Sequence, residues 1–323
     1  LYYLKRQLAF AGLGLAAMWM TMNVDYWIWK KYAKIGLIVC FALLAVVLIP
    51  GVGVVRGGAR SWLGIGGFGI QPSEFMKLAM IVFLAKLLSE HPERLASFWK
   101  GLLPPLAIAG FAFGLIMLQP DLGSGAVLVG TALIILYAAG ARISHLAALG
   151  AAGAAGFAAL VAAAPYRMQR IAGFLDPWSD PLGSGYQIIQ SLYAIGPGGL
   201  AGLGLGASRQ KHSYLPEPQT DFIFSIVAEE LGFLGGALML GLFLLLIWRG
   251  MRASITAPDP FGSLLAVGIV GMIGVQTFIN IGVVIGMLPV TGITLPLISA
   301  GGSSLTLLLT AIGVLLNVSR YSR

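Results

Sequence analysis

Nine apolar stretches, at roughly 8–24, 35–55, 73–89, 102–118, 122–141, 144–164, 222–248, 262–288 and 294–318, leave this chain few folds to adopt. Each can cover much or all of a hydrocarbon core about 30 Å thick. Of the 323 residues, 58% are hydrophobic and 10% charged, and the mean hydropathy is +0.90, more apolar surface than a soluble domain can hide. The runs are continuous rather than alternating over short segments. That predicts an all-α, polytopic transmembrane helical bundle and argues against a β-barrel. A single integral-membrane domain over 1–323 is expected, and the 45 glycines suit close helix contact in lipid.

The connections alternate in character. Lys30, Lys31 and Lys34, then Lys86 to Lys100 with Arg94, then Arg142, Arg249 with Arg252, and Arg320 with Arg323 all fall on one side if nine helices weave. The excess of Lys and Arg makes that side cytoplasmic. The outer set is 52–72, the turn at Gln119-Pro120-Asp121, the long connection 165–221, and 288–293. The net charge of +8 need not mean nucleic acid, since many of the basic residues fall between apolar runs, where flanking Lys and Arg set membrane orientation. An odd number of spans puts Leu1 outside, yet Leu1 to Gln7 leads into a span without a signal-peptide cleavage site. An additional amino-terminal helix, absent from this sequence, is expected.

The connection 165–221 is too long to be a passive turn. Its stretch Tyr186 to Ile195 reads as a short amphipathic helix, broken by Gly196-Pro197-Gly198-Gly199. A lid over a membrane-facing site is a natural use. The chain lacks several chemistries. Cys40 is the single cysteine, so no intrachain disulfide forms. His91, His145 and His212 are scattered and make no metal motif. The run Gly202-Leu-Gly204-Leu-Gly206 fails the dinucleotide fingerprint, and no phosphate loop or nucleophile elbow is present.

The residues that bear charge or polarity inside or beside apolar runs are the candidates. Glu74 and Lys77 lie three apart on one helix face, as a mutually neutralising pair or as the lining of a wet cavity. Arg60 and Trp62, just before that helix, suit a phosphate or sugar clamp as well as an interfacial anchor. Arg167 and Arg170 sit beside a span, fit for a diphosphate or for lipid headgroups. Asp121 is explained by helix capping. Gln276 and Asn280, four apart in an apolar helix, read as interhelical hydrogen-bonding residues first and cavity lining second. Glu229 and Glu230 lie about 12 Å of helix rise beyond Asp221, too far to share one bond with it. Asp221 stands where the outer connection meets an apolar run. A helix start would stabilise its anion and make it a weaker base, whereas burial beneath a lid would do the opposite.

Several motifs then point the same way. They are Tyr3-Leu-Lys-Arg-Gln7, Arg60-Ser-Trp62, Gln71-Pro-Ser-Glu74-Phe-Met-Lys77, Gln119-Pro-Asp-Leu-Gly123 and Pro165-Tyr-Arg167. Further on come Asp176-Pro177, Gly185-Tyr-Gln187, Leu215-Pro-Glu-Pro-Gln-Thr-Asp221-Phe-Ile-Phe224, Leu288-Pro-Val-Thr-Gly292 and Gly301-Gly-Ser-Ser304. In this fixed order, end to end, the chain resembles the SEDS family of peptidoglycan glycosyltransferases (FtsW, RodA, SpoVE), nearest the SpoVE branch and FtsW next. The resemblance implies ten helices, with the first missing here. It implies an enzyme of the bacterial cytoplasmic membrane, facing outward, that polymerises lipid II with loss of undecaprenyl diphosphate. It makes Asp221 the general base for the acceptor 4-hydroxyl, with inversion at the donor carbon. Substrate binding is carried onto Arg60, Trp62, Glu74, Lys77, Arg167, Arg170, Gln187, Gln219 and Ser303. Lipid II, the nascent lipid-linked glycan and a class B penicillin-binding protein are the implied partners. No protein metal site is expected; a divalent cation (Mg or Mn) bridging the diphosphate is compatible with the chemistry. Ala300 departs from the tyrosine common in the family. The alternatives are a lipid II flippase and a non-catalytic scaffold.

Overall fold

The computed structural model describes residues 2–56, 59–65, 68–162, 165–211 and 214–322. Each of the nine apolar runs contains a helix: α1 (Tyr2–Met22), α2 (Trp27–Leu48), α3 (Pro72–Glu90), α4 (Leu103–Met117), α5 (Leu122–Ala138) and α6 (Ile143–Ala162), then α9 (Ile223–Ile255), α10 (Pro260–Val284) and α11 (Gly302–Tyr321). The connection between α6 and α9 adds α7 (Pro165–Leu175) and α8 (Tyr186–Ile195), the second over the span expected from its amphipathic pattern. Among the described residues five helices are long and apolar enough to cross a membrane: α2, Phe98–Met117, α9, α10 and α11. Three of the others fall short for visible reasons. Charges interrupt α1 and α3, and α5 has 17 residues against the roughly 20 that a span needs.

Three expectations need correction. The chain is not wholly helical, because the segment 52–72 holds a three-stranded antiparallel sheet of β1 (Gly53–Arg56), β2 (Ala59–Ile65) and β3 (Phe68–Ile70). Its strands are short runs with β-branched and aromatic residues, separated in sequence by the turn-forming pairs Gly57-Gly58 and Gly66-Gly67. The last apolar run, 294–318, is helical only from Gly302, since Pro296 and Gly301 interrupt its first part. The run 222–248 is a broken helix: Gly232 has φ 66° and ψ −162°, so α9 is two helical pieces meeting at that residue.

The chain forms two compact units, and it passes between them repeatedly so that neither is one continuous stretch. The first comprises 1–146, 246–275 and 300–323. In it α1 lies along α11, and small residues allow the approach. A Cβ at Gly313 would sit 2.0 Å from Thr21 Oγ1 and 2.5 Å from the Met18 carbonyl oxygen. Thr21 Oγ1 donates to the Thr310 carbonyl (3.1 Å), while the Asn317 side chain accepts from Tyr26 N–H (2.9 Å) and donates to the Met22 carbonyl (2.8 Å). Asn317 thereby closes the end of α1. Gly313→Ala is expected to cost about 1–3 kcal/mol by overpacking against backbone, read as a lower thermal unfolding midpoint in detergent. The second unit comprises 147–245 and 276–299 and contains α7, α8, the first part of α9 and the end of α10.

Candidate functional site

The segment that leads into α9 is held by its backbone. Asn280, one turn before the end of α10, donates through Nδ2 to the Asp221 carbonyl (2.8 Å) and to the Ile293 carbonyl (2.7 Å). Ser299 Oγ donates to the Thr220 carbonyl (2.5 Å) and accepts from Leu295 N–H (2.7 Å). Gln276 Nε2 reaches the Thr294 carbonyl (3.0 Å). These bonds explain why 285–301 can leave the helical path within an apolar region: side chains of α10 and Ser299 satisfy its backbone groups. They also fix the two peptides on either side of the Asp221 Cα. Gln276 and Asn280 were legible as buried hydrogen-bonding residues, but their partners are this non-helical backbone rather than another helix.

The Asp221 side chain is half-buried, two residues before the first helical residue of α9. Its carboxylate faces Gly292, whose φ of 74° is in the left-handed region; a Cβ there would lie 3.7 Å from Asp221 Oδ2. Glycine at 292 thus serves the backbone conformation and leaves room beside the carboxylate. Gln219 is half-buried two residues earlier.

Helix α8 is fastened rather than hanging in solvent. Ser191 Oγ shares a hydrogen bond with Ser225 Oγ (2.7 Å) and donates to the Val284 carbonyl (2.6 Å), which joins α8 to the start of α9 and the end of α10. Tyr186 Oη donates to the Tyr214 carbonyl (2.7 Å). Gln187 lines a small cavity, about 170 Å³, with Gly183, Ser184, Ile188 and Val290. The turn ahead of it is set by Asp180, whose carboxylate accepts from Ser184 N–H (2.8 Å) and Ser184 Oγ (3.1 Å). Those bonds hold the Asp180 carboxyl below its ordinary range. Arg167 and Arg170 are three apart on α7, one face of a short helix, and their side chains lie outside the described set.

The remaining candidates belong to the other unit. Arg60 and Trp62 flank buried Ser61 on β2, where the pairing with β1 is irregular: adjacent Val54 and Val55 lie opposite Trp62 and Arg60, so the strand bulges at Ser61. The Arg60 stem lies across Gly53, where a Cβ would come within 2.8 Å of Arg60 Cγ. Glu74 and Lys77 form a buried ion pair of 2.7 Å near the start of α3. The Asp121 carboxylate accepts from Ser124 N–H (3.0 Å), the cap expected of it, and from Gln71 Nε2 (2.9 Å). Ser303 lies in the first turn of α11, 5% exposed, its hydroxyl buried without a hydrogen-bond partner among the described residues. Substrate could touch it only after the surrounding groups move. Lys77→Met strands the Glu74 carboxylate and is expected to cost about 3–5 kcal/mol, whereas adding Glu74→Gln restores most of that. Unfolding midpoints of the singles and the double check it.

A multi-pass helical membrane protein with a backbone-clamped aspartate at the start of a broken helix is the class this fold and site define. The family profile described as cell cycle protein, for FtsW, RodA and SpoVE, matches residues 1–323, and the chain belongs to that SEDS family. Stage V sporulation protein E of Bacillus subtilis is 63% identical over 322 residues, covering 100% of this chain and 88% of its own length. A probable peptidoglycan glycosyltransferase FtsW of Geobacter metallireducens is 44% identical over 318 residues, covering 98% and 85%. The crystal structure of Thermus thermophilus rod shape determining protein RodA matches with TM-score 0.73 at 33% identity, over 99% of this chain and 88% of that one. A chain from a peptidoglycan synthase complex, solved for its coordination of polymerization and crosslinking, matches with TM-score 0.83 at 36% identity, over 99% and 90%.

Proposed function

We propose that this chain is a peptidoglycan glycosyltransferase that polymerises lipid II on the outer face of a bacterial cytoplasmic membrane, with Asp221 as general base. The observation that carries the reading is the Asp221 backbone, held on both sides by Asn280 and Ser299 while the carboxylate faces Gly292. Relatives named as peptidoglycan glycosyltransferases support the reaction class. In this reading nine spans place the connection 165–221 and the site outside, and α8 roofs the entry to α9.

The base accepts the proton of the acceptor 4-hydroxyl as its oxygen attacks the donor anomeric carbon. The glycosidic bond to the lipid diphosphate breaks, the carbon inverts, and the diphosphate leaves with the bonding pair. Cationic side chains are needed at the leaving group, and Arg60, Lys77, Arg167 and Arg170 are the candidates. Trp62, Glu74, Gln187, Gln219 and Ser303 complete the proposed substrate contacts. Among the described residues no three His, Cys, Asp or Glu side chains cluster as metal ligands. These residues do not form a protein cage for Mg or Mn, and no step is assigned to a metal. A class B penicillin-binding protein is the proposed partner, supported by the synthase complex whose chain this one resembles.

Purified protein with its partner transpeptidase and labelled lipid II should make glycan polymer. Scrambling of lipid II in vesicles without polymer would favour the flippase. Neither activity, in the presence of partner, would leave the scaffold.

A further inference from the structure

Two adjacent glutamates inside α9 are left unused by this mechanism. Glu229 is 1% exposed, and its carboxylate accepts from Ser208 Oγ (2.6 Å), Arg209 N–H (2.9 Å) and Gln210 N–H (3.4 Å). Glu230 accepts from Gly206 N–H (2.9 Å), Ser208 N–H (3.3 Å) and Lys211 Nζ (2.7 Å). Their main chains join in as well: Leu203 N–H donates to the Glu229 carbonyl and Gly204 N–H to the Glu230 carbonyl, both at 3.0 Å.

The break at Gly232 makes this possible. Beyond it, Phe233 N–H turns to the Gly199 carbonyl (2.8 Å) and Leu234 N–H to the Leu200 carbonyl (3.1 Å). The helix thus exchanges internal bonds for bonds to the 199–204 backbone. The approach is tight, since a Cβ at Gly202 would lie 2.2 Å from the Glu230 carbonyl oxygen. The clamped segment runs straight into the one that carries Asp221. Gln210 O accepts from Leu215 N–H (3.1 Å), and the Leu215 side chain is buried. The described residues of this stretch, 203–211 and 214–221, are thus held at one end by Glu229 and Glu230 and at the other by the start of the same helix.

We infer that Glu229 is a positioning residue for the polymerisation reaction: by gathering Ser208 and the amides of Arg209 and Gln210 it fixes the loop that delivers Asp221. A buried carboxylate is an expensive anchor for an apolar helix unless its donors are well placed. Its use here serves geometry, because one carboxylate can accept several converging N–H and O–H groups where glutamine offers one oxygen and a competing NH₂. The inference rests on the glycosyltransferase reading, and the experiment separates the two. Wild-type polymerisation reports that reading; the ratio of variant to wild type reports this one.

Glu229→Gln, Ser208→Ala and the parent are each made with Leu205→Cys, an exposed position in the clamped loop, and carry a nitroxide there; native Cys40 is buried. Glu229→Gln is expected to lower kcat per folded molecule by about tenfold to a hundredfold, the cost of a small misplacement of a reacting group, with KM for lipid II nearly unchanged. Nitroxide motion should rise in parallel, and Ser208→Ala should fall between parent and Glu229→Gln in both readouts. A merely structural anchor would lower the unfolding midpoint while leaving kcat per folded molecule at the parent value, and that result overturns the inference. So does loss of turnover with an unmoved nitroxide. If Glu229→Gln does not fold, Ser208→Ala decides by the same two readouts. A parent that makes no polymer with its partner overturns the glycosyltransferase reading itself.

Discussion

Asp221→Ala is expected to reduce lipid II polymerisation by at least about 100-fold, the lower bound for losing a positioned general base. Asp221→Asn should do the same, because it keeps the shape and removes the proton acceptor. The hydrogen bonds seen at this residue's backbone, Asn280 to its own carbonyl and Ser299 to the Thr220 carbonyl, need no carboxylate. Both variants keep those bonds, and polymer yield is compared per folded molecule. Asp221→Glu should not rescue. The peptides on both sides of the Asp221 Cα are held by Asn280 and Ser299, so an extra methylene moves the carboxylate away from its present position. Polymer yield on gels, with unfolding midpoints measured on the same preparations, decides. Normal polymer from a folded Asp221→Ala would remove Asp221 from the mechanism and leave the family membership intact.

What could be read in advance follows from the range of the interactions involved. The helices announce themselves through local hydropathy, and α8 was visible because ten residues carry its amphipathic pattern alone. Asp221 stood out for a similar reason, as a lone carboxylate at the seam between a polar connection and an apolar run. The features that went unread depend on partners far away in sequence. Residues 294–301 look like part of a span, yet Pro296 and Gly301 break the helical pattern there, and side chains satisfy part of the backbone: Gln276 bonds the Thr294 carbonyl and Ser299 accepts from Leu295 N–H. Gly232 resembles any glycine in a membrane helix until the Gly199 and Leu200 carbonyls take over the next two amides. The sheet at 53–70 was missed because its strands are short and cross-strand pairing, not local pattern, stabilises them. Arg60 and Lys77, grouped with Asp221 by chemistry, lie in the other compact unit, so their service to the same substrate rests on the family resemblance.

Asn280 offers the sharpest test of whether the backbone around Asp221 has to be held. Its Nδ2 group bonds two carbonyl oxygens, on Asp221 and Ile293, so one side chain ties the start of α9 to the non-helical segment that carries Gly292. Asn280→Ala deletes both bonds and adds nothing. Each carbonyl left unpaired costs about 1–3 kcal/mol, and polymerisation should fall about tenfold, by a factor independent of pH. Asn280→Asp is the larger change, because at neutral pH it points a carboxylate at two carbonyl oxygens. A loss of about 100-fold or more is expected from the combined repulsion and lost bonds. The sign of the pH effect then follows. As pH falls, the introduced carboxyl becomes neutral and its O–H can donate to one of the two carbonyls, so the ratio of Asn280→Asp to wild-type activity should rise. Taking the ratio cancels the titration that wild type and variant share, including any at Asp221. A ratio that stays flat from pH 8 to about pH 5, where a carboxyl in an unfavourable site is already gaining its proton, would mean that Asn280 acts through packing and not through its two hydrogen bonds.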